Sequence, residues 1–417
     1  MKKICCYAGI VLVLVACKKT GTPGPSPDVW DGIIRPAAPV TVAKTATQKI
    51  FVHYMPWFET PQSLVSCCNW GIHWTMNRGA TFPNTFVSGQ RRIAAHYYPM
   101  IGPYASSDTN VIDYQLLLMK LSGIDGLMID WPGTGTNLGE SMDLPLNARN
   151  TKAIVDRLSK VGLKYALVYE DQYVSRYTDK AAAAKNDINY ARDNYFNDPN
   201  YEQYEGKPLF MVFGPQAVTT GAGWTTVFSE LPVKPAFFTL WYERHEAAGN
   251  TTGEYAWIDQ SHTTRLNNFY AGSYNPGVKI SSVYPGFKTY YTEGGWPGPT
   301  WTIAANGTNT FVQLLDLALK QFTPYLQLNT WNDYGEGTML EPTSEASGGF
   351  GYKLLTALQD KLGVAGLNQA DLETVQRYYE LKVANAGNAG VMNKLTQVYY
   401  YMVSLQMGKA RELLATI

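Results

Sequence analysis

The chain has 417 residues, and its 34 basic and 34 acidic side chains give a formal net charge of zero. Without a basic field it has no means to attract nucleic acid or anionic lipid, which favours a neutral partner. Aromatic residues reach 13% of the chain, with 29 Tyr and 11 Trp. This composition is typical of proteins that hold sugars against flat rings, although a large Tyr-rich core would produce it as well.

The N-terminus has the pattern of an export signal. Lys2 and Lys3 precede an apolar stretch from Ile4 to Ala16, which is too short to span a bilayer. The run Leu14-Val15-Ala16-Cys17 resembles the lipobox of bacterial lipoproteins, in which the cysteine becomes the lipidated first residue. We therefore predict an exported protein that is lipid-anchored to a bacterial membrane at Cys17, on the periplasmic side or at the cell surface. An ordinary cleaved signal is the alternative.

The rest of the chain divides into three predicted parts. Residues 18–45 are rich in Pro, Gly, Thr and Ser and predict a flexible tether. Residues 46–364 are predicted to form the main domain, and residues 365–417 a helical extension with helices over Asp371–Val383 and Val391–Leu414. Cys67 and Cys68, adjacent in sequence, form either a vicinal disulfide or a pair of packed thiols. The sequence has no disulfide framework or paired CxxC zinc pattern, so the fold must be held by its core.

Eight short apolar runs alternate with helical patterns in the main domain, as in parallel βα units. The predicted strands are Lys49–Tyr54, Gly126–Asp130, Lys164–Tyr169, Pro208–Phe213, Ala236–Trp241, Tyr255–Ile258, Lys279–Val283 and Tyr325–Thr330. The predicted helices are Val111–Leu121, Ala148–Lys160, Ala181–Asn194, Trp224–Leu231 and Phe311–Phe322, and units five and six lack a convincing helix. Eight strands favour an α/β fold closed into a (β/α)8 TIM barrel over an open doubly wound sheet, and no Gly-x-Gly-x-x-Gly follows an early strand.

The first connection, from Phe58 to Asn110, is much longer than an ordinary βα loop. Long loops in compact domains are usually functional. This one carries an aromatic set that includes Trp70, His73, Trp74, His96 and Tyr104.

Reacting groups in a TIM barrel lie at the C-terminal ends of the strands. Acidic residues stand at five of these ends: Asp130, Glu170, Glu243, Asp259, and the pair Asp333 and Glu336. For any single acid, a solvated residue that caps the next helix is the simpler interpretation.

The strand-eight segment differs because it sets two carboxylates, Asp333 and Glu336, three residues apart on a turn that contains Gly335. Cleavage of a glycosidic bond needs one carboxylic acid to protonate the leaving oxygen. It also needs a second carboxylate, which activates water or attacks the sugar. Asp333 and Glu336 are therefore the predicted catalytic pair.

These residues also carry a family resemblance. The run Trp331-Asn332-Asp333-Tyr334-Gly335-Glu336 resembles the signature of the α-1,3-glucanases of glycoside hydrolase family 71. The continuation Gly337-Thr338-Met339-Leu340-Glu341-Pro342 instead resembles the family 99 endo-α-mannosidases. Further matches to family 99 are Tyr54-Met55-Pro56-Trp57, His73-Trp74 and Gly123-Ile124-Asp125-Gly126.

The resemblance implies an exported (β/α)8 hydrolase of α-linked mannans or glucans, endo-acting and needing no metal or other cofactor. Carried over by position, Glu336 is the general acid and Asp333 the second catalytic carboxylate. Trp131 would stack on a donor-side sugar and Glu170 would hydrogen-bond hydroxyls near the cleaved bond. Asp130 has an acidic counterpart in the glucanases.

The two families differ in the residue that matches Asp333. The mannosidases have a glutamate, which is thought to draw a proton from the sugar 2-hydroxyl and so give retention. Family 71 has an aspartate and is regarded as inverting. Both outcomes stay open for this chain, and the shorter aspartate side chain favours the inverting, water-mediated route.

Other candidate substrate contacts are weaker. Tyr54, His73 and Tyr242 could equally be satisfied polar residues within loop packing. Trp296 could be a sugar platform or could hold a Gly/Pro loop in place. The set is completed by Trp74, Asp259 and Trp331.

A different class of function is a catalytically silent, glycan-binding surface lipoprotein, which fits the anchor and the aromatic content equally well. A binding protein has no need of two acids on one turn, so the pair favours an enzyme. The chain has no Gly-x-Ser-x-Gly elbow for an esterase and no His-Glu-x-x-His for a metalloenzyme. We expect a monomer whose partners are an oligo- or polysaccharide and, through the lipid anchor only, a membrane.

Overall fold

The computed structural model describes residues 30–64, 69–134 and 143–417. Within these ranges, eight parallel strands form a closed barrel in which every strand pairs with the next and the last pairs with the first. The strands are β1 Lys49–Tyr54, β2 Gly126–Trp131, β3 Lys164–Tyr169, β4 Lys207–Val212, β5 Ala236–Leu240, β6 Gly253–Tyr255, β7 Val278–Val283 and β8 Tyr325–Leu328. This confirms the predicted (β/α)8 barrel. Cys17, Cys67 and Cys68 lie outside the described residues.

Side chains alternate between the two faces of each strand, and this alternation decides what points into the barrel. The inward residues of the lower barrel form one buried apolar cluster: Phe51, Met128, Ala166, Val168, Leu209, Met211, Ala236, Phe238, Tyr255, Ile280 and Tyr325. Two residues further along β1 and β2, the inward positions are the polar residues His53 and Asp130. The barrel is therefore an apolar column with a polar upper end.

Helices surround the barrel. Those of seven or more residues are α1 Thr109–Leu121, α2 Asp143–Val161, α3 Lys180–Ala191, α4 Gly221–Val227, α5 His262–Tyr270, α6 Asn309–Leu319, α7 Lys353–Leu362, α8 Gln369–Ala384, α9 Ala389–Val403 and α10 Met407–Leu414. The sequence predicted no convincing helix in unit six, and this was wrong because α5 is present there. Only two of its residues, Leu266 and Phe269, are buried. Every helix in the described ranges is too short or too polar to cross a lipid bilayer.

The C-terminal extension contains one more break than predicted. Residues 365–417 are all described, and they form α8, α9 and α10 rather than two helices. The second predicted helix is interrupted where Leu405 takes a left-handed φ of 59°. The extension packs on the barrel, since α8 lies against α1 and Lys382 of α8 pairs with the buried Asp113 of α1 at 2.8 Å.

The predicted tether is wrong for its second half. Residues 34–46 have no regular secondary structure, yet they are bound to the barrel and the extension. The Val40 amide donates to the Val403 carbonyl at 3.0 Å, and the Lys44 ammonium donates to the Gly123 carbonyl at 2.7 Å. A Pro-rich composition predicts the lack of helix or strand, but it does not exclude an extended segment that hydrogen-bonds to its surroundings.

Gly126 gives a direct test of the packing between β1, β2 and β3. A Cβ at this position would lie 2.5 Å from the Phe51 ring and 2.6 Å from the Lys164 carbonyl oxygen. We expect Gly126→Ala to lower the free energy of unfolding by about 1–3 kcal/mol, because the buried Phe51 ring and the Lys164 backbone have no space into which they could move. Gly387→Ala is the control, since a Cβ there meets nothing within 4 Å. Equal denaturant midpoints for the two variants would contradict the described packing.

Candidate active site

Carboxyl groups from three strands meet at the upper end of the barrel. Asp130 is the last inward residue of β2, Glu170 follows β3, and Asp333 and Glu336 follow β8. The pKa of Asp130 is raised well above its usual value, first by burial, then by Glu170 and further by Asp333. The acids of strands two, three and eight therefore share one site.

Asp130 and Glu170 form a carboxyl pair. The two groups share a hydrogen bond that keeps the proton on Asp130, and Gln172 also donates to Glu170. Burial raises the pKa of Glu170 to about 7. Near neutral pH this pair can both donate and accept hydrogen bonds, which suits the hydroxyl groups of a sugar.

The strand-eight turn is built so that Asp333 and Glu336 are held together. The Asp333 amide donates to the Thr330 hydroxyl at 2.8 Å, and the Glu336 amide donates to the Asp333 carboxylate at 3.0 Å. Gly337 ends the turn with a left-handed φ of 69°. A Cβ on Gly337 would also lie 2.7 Å from the Lys288 carbonyl oxygen, so glycine is required there.

The same turn raises the pKa of both acids. Asp333 is 4% exposed, and its pKa is raised well above the usual value, first by burial and then by the charge of Glu336. Burial raises the pKa of the half-buried Glu336 to about 6, opposed by a hydrogen bond from Tyr291. At neutral pH the pair therefore holds one proton between its two carboxyls, as acid–base catalysis at a glycosidic bond requires.

Tyr291 is a residue that the sequence did not predict. Its hydroxyl donates to Glu336 Oε1 at 2.9 Å. Burial and then Glu336, Asp333 and Glu170 raise its own pKa, so its hydroxyl faces three of the four acids. Tyr291 stands 45 residues before Glu336 and begins the one-turn helix Tyr291–Gly294, in the connection between β7 and α6. The sequence signal nearest to it is the aromatic Gly294-Gly295-Trp296 run.

Two buried side chains support the turn from behind. Asn332 accepts from the Met55 amide at 2.9 Å and donates to the Met55 carbonyl at 3.0 Å, which ties the turn to the end of β1. Glu341 is 1% exposed and accepts hydrogen bonds from Tyr104, Tyr334 and Gln115 at 2.7–2.8 Å. Both residues belong to the motif that carries the family resemblance, but they position the turn and do not face the acids.

His53 is an inward residue near the end of β1, at the polar upper end of the barrel, and the sequence did not single it out. Its ring packs edge-on against Trp257 with centroids 4.8 Å apart. Burial lowers the pKa of His53 to about 3, so the imidazole is neutral. Its Nδ1 is buried without a hydrogen-bond partner among the described residues.

One edge of the site carries three half-buried rings, here called the aromatic rim: Trp57, His73 and Trp296. Trp57 stacks on His73 with centroids 4.1 Å apart, and Trp296 meets the edge of His73 at 5.8 Å. Trp296 also lies 6.1 Å from the ring of Tyr291. The predicted residues His73 and Trp296 are thus joined to the acid pair through Tyr291.

Trp131 does not lie where the resemblance placed it. It follows the inward Asp130 and so points outward, where it is 0% exposed and packs against Tyr169, Tyr190 and Tyr195. This corrects its predicted role as a platform for a sugar. The alternation of side chains along β2 is the physical reason.

The predicted role in substrate binding is also wrong for three further residues, because all of them are fully buried: Tyr54, Trp74 and Trp331. The Tyr54 hydroxyl donates to Gln115 at 2.7 Å, within the network behind the turn. Trp74 donates to the Tyr104 carbonyl at 2.8 Å and stacks on Phe58 in the first loop. None of these side chains offers a face to a substrate.

Tyr242 and Asp259 lie apart from the four acids. The electrostatic neighbours of Tyr242 are Arg265, Glu254 and Asp259, and its ring packs at 4.7 Å on Tyr274. Asp259 lies 3.9 Å from Arg265 and accepts from the Ser261 amide. Among the described residues, one group of side chains has possible metal-ligand atoms close together: Glu243, His245 and Glu246. These residues follow β5 and include none of the four acids.

Sequence comparisons relate the chain to known glycosidases. Residues 45–232 match the model of glycosyl hydrolase family 99, a range that ends before the strand-eight turn. The glycoprotein endo-α-1,2-mannosidase of Xenopus laevis is 22% identical over 334 residues, covering 70% of this chain and 69% of that enzyme. The Rattus norvegicus enzyme is 26% identical over 42% of this chain and 39% of its own length.

A solved structure shares the fold. The family 99 endo-α-mannosidase of Bacteroides thetaiotaomicron superimposes with a TM-score of 0.56 at 19% identity, covering 75% of this chain and 95% of that protein. These matches confirm the family 99 part of the resemblance drawn from the sequence motifs. The chain is a family 99-like glycoside hydrolase, and therefore a glycosidase.

Proposed function

We propose that the protein is an endo-acting hydrolase of α-linked mannan in which Asp333 and Glu336 carry the reaction. The observation that supports this most strongly is the geometry of the strand-eight turn, where the Glu336 amide donates to the Asp333 carboxyl group at 3.0 Å and holds the two acids together. The mannan preference rests on the names of the related enzymes. An α-1,3-glucan is the second candidate, because Asp333 matches the aspartate of the family 71 signature.

In the proposed reaction, Glu336 gives its proton to the glycosidic oxygen as the bond from that oxygen to C1 breaks. A water molecule bonds to C1, and its proton passes to Asp333. Asp130 and Glu170 hold sugar hydroxyls beside the cleaved bond. The balance is that of hydrolysis, with one water consumed and one proton returned to the pair.

In the free protein the shared proton lies on Asp333, whereas the proposed reaction needs it on Glu336. Burial and the charge of Glu336 keep the proton on Asp333, while the Tyr291 hydroxyl stabilises the charged form of Glu336. Substrate binding must therefore move it. A water or hydroxyl that donates to Asp333 favours the charged form of Asp333, and a sugar that displaces water from Glu336 favours the neutral form of Glu336.

This electrostatic arrangement predicts the pH dependence. The active state has one carboxylate and one carboxylic acid, so it is lost when both become protonated. Because the pKa of Glu336 is about 6, kcat/KM on a glycan should fall about tenfold per pH unit as pH drops below about 6 and should be level near neutrality. Initial rates between pH 4 and 8, roughly the range that brackets this pKa, test this. Activity that rises steadily towards pH 4 would contradict it.

The function itself is tested with a glycan panel. The protein lacking residues 1–17 is incubated with yeast-type α-mannan, α-1,3-glucan and a β-linked glucan, and products are followed by chromatography and by NMR of the first anomer released. Release of oligosaccharides from α-mannan supports the proposal, and a β-anomer supports the water-mediated route. Binding of α-glycans without release would favour the silent glycan-binding protein.

We also propose that Cys17 is lipidated and anchors an exported, monomeric enzyme to a bacterial membrane. The lipobox Leu14-Val15-Ala16-Cys17 supports this. Expressed in a bacterial host, the full chain should partition with membranes, and Cys17→Ser should move it to the soluble fraction. Membrane association that survives the substitution would argue against a lipid anchor at this residue.

A further inference from the structure

Tyr291 is held in place more strictly than an ordinary rim residue. A Cβ on Gly298 would lie 2.1 Å from the Tyr291 ring, so the ring occupies the space that this glycine leaves. The Trp296 amide donates to the Tyr291 carbonyl at 2.8 Å and closes the loop around it. The side chain of Tyr291 therefore has little freedom to leave Glu336.

The loop that carries Tyr291 is also fixed to the catalytic turn. The Lys288 amide donates to the Glu336 carbonyl, and the Tyr290 amide donates to the Gly335 carbonyl, both at 2.8 Å. On its other side, Asn77 of the long first loop donates to the Gly295 carbonyl at 2.7 Å. Tyr291 thus stands between the acid pair and the aromatic rim, with its position set from both sides.

We infer that Tyr291 is a positioning residue for the general acid, which it holds towards the leaving-group oxygen while stabilising the carboxylate that forms as the proton departs. The inference rests on the proposed function and deepens it. A hydroxyl 2.9 Å from Glu336 Oε1 leaves the other oxygen of that carboxyl to carry the proton to the substrate. Hydrogen bonds to a charged carboxylate are stronger than those to a neutral one. The contact therefore strengthens as the proton leaves Glu336.

The test compares Tyr291→Phe with wild type on two substrates that share the same donor sugars. One is an α-linked oligosaccharide, whose leaving sugar needs the acid, and the other is the corresponding α-glycosyl fluoride, whose fluoride leaves as an anion. We expect kcat on the oligosaccharide to fall about 10- to 100-fold and kcat on the fluoride to change by less than about threefold. We also expect the acid limb of the pH profile to move to higher pH, because the hydrogen bond that lowers the pKa of Glu336 is lost.

Controls separate this role from a structural one. Tyr290→Phe removes the hydroxyl of the neighbouring tyrosine, whose ring lies against His96. Among the described residues, this hydroxyl has no hydrogen bond to the acid pair. It should behave as wild type. If Tyr291→Phe folds poorly, Gly298→Ala serves as the second variant. Its added Cβ displaces the Tyr291 ring, so it should show the same selective loss of kcat on the oligosaccharide.

Equal losses on both substrates, or no loss on either, would overturn the role of Tyr291. A pH limb that stays in place would also overturn it. Failure of the proposed function looks different, since wild type would then turn over neither the oligosaccharide nor the fluoride.

Discussion

Replacing Glu336 with glutamine is expected to lower kcat on an α-linked glycan by about 10²- to 10⁴-fold, the usual contribution of a general acid. The amide keeps the size of the side chain and can still accept from Tyr291, but it has no acidic proton for the leaving oxygen. Asp333→Asn should cause a loss of similar size, because the second carboxylate is then missing. Initial rates of reducing-end release measure both.

The double variant carries the sharper prediction. Because the two acids share one proton and act as a unit, Asp333→Asn with Glu336→Gln should be little worse than either single variant. Glu293→Gln is the matched control. It removes an exposed carboxylate 3.6 Å from His96, on the same loop as Tyr291, and should leave kcat within about twofold of wild type. Losses that multiply in the double variant would contradict a coupled pair.

Glu341→Ala is expected to have the largest effect on stability. Glu341 is buried and accepts from two tyrosine hydroxyls and one amide, so the substitution leaves Tyr104, Tyr334 and Gln115 without their acceptor. Each buried, unsatisfied donor costs about 1–3 kcal/mol, and we expect a loss of about 3–5 kcal/mol in the free energy of unfolding. Urea denaturation followed by tryptophan fluorescence measures it.

The control for Glu341 is close in sequence. Glu345 is exposed and pairs with Lys353 at 2.5 Å, so Glu345→Ala should change stability by less than about 0.5 kcal/mol. The Glu341 variant should also lose activity, because Tyr104 accepts from Asn332 at 3.2 Å and Asn332 ties the catalytic turn to β1. A stable Glu341→Ala protein would show that the network behind the turn is not needed to hold it.

Much of the barrel could be predicted from the sequence because its strands are buried on both faces, so their sequences are nearly continuous apolar runs. All six residues of Gly126–Trp131 are buried, for example. Helix α5 was missed because its sequence is mostly polar and only Leu266 and Phe269 are buried. Residues 34–45 were predicted to belong to a flexible tether because composition indicates a lack of regular structure but not the hydrogen bonds of an extended segment.

The acids of the site were predictable because the C-terminal ends of parallel strands meet at one end of a barrel. The direction of each side chain was harder. Asp130 and Trp131 are neighbours on one strand, and alternation sends the first into the site and the second into the helix layer. Tyr291 could not be found from sequence because its contact with Glu336 is made across loops and depends on the space beside Gly298.

The most direct test of the central claim is a crystal structure of the Glu336→Gln variant with an α-linked manno-oligosaccharide. We expect a glycosidic oxygen within hydrogen-bond distance of the side chain at position 336, Asp333 facing C1 of the donor sugar directly or through one water, and the flanking sugar against the aromatic rim. A sugar chain bound away from Asp333 and Glu336, with both side chains facing only protein, would contradict it.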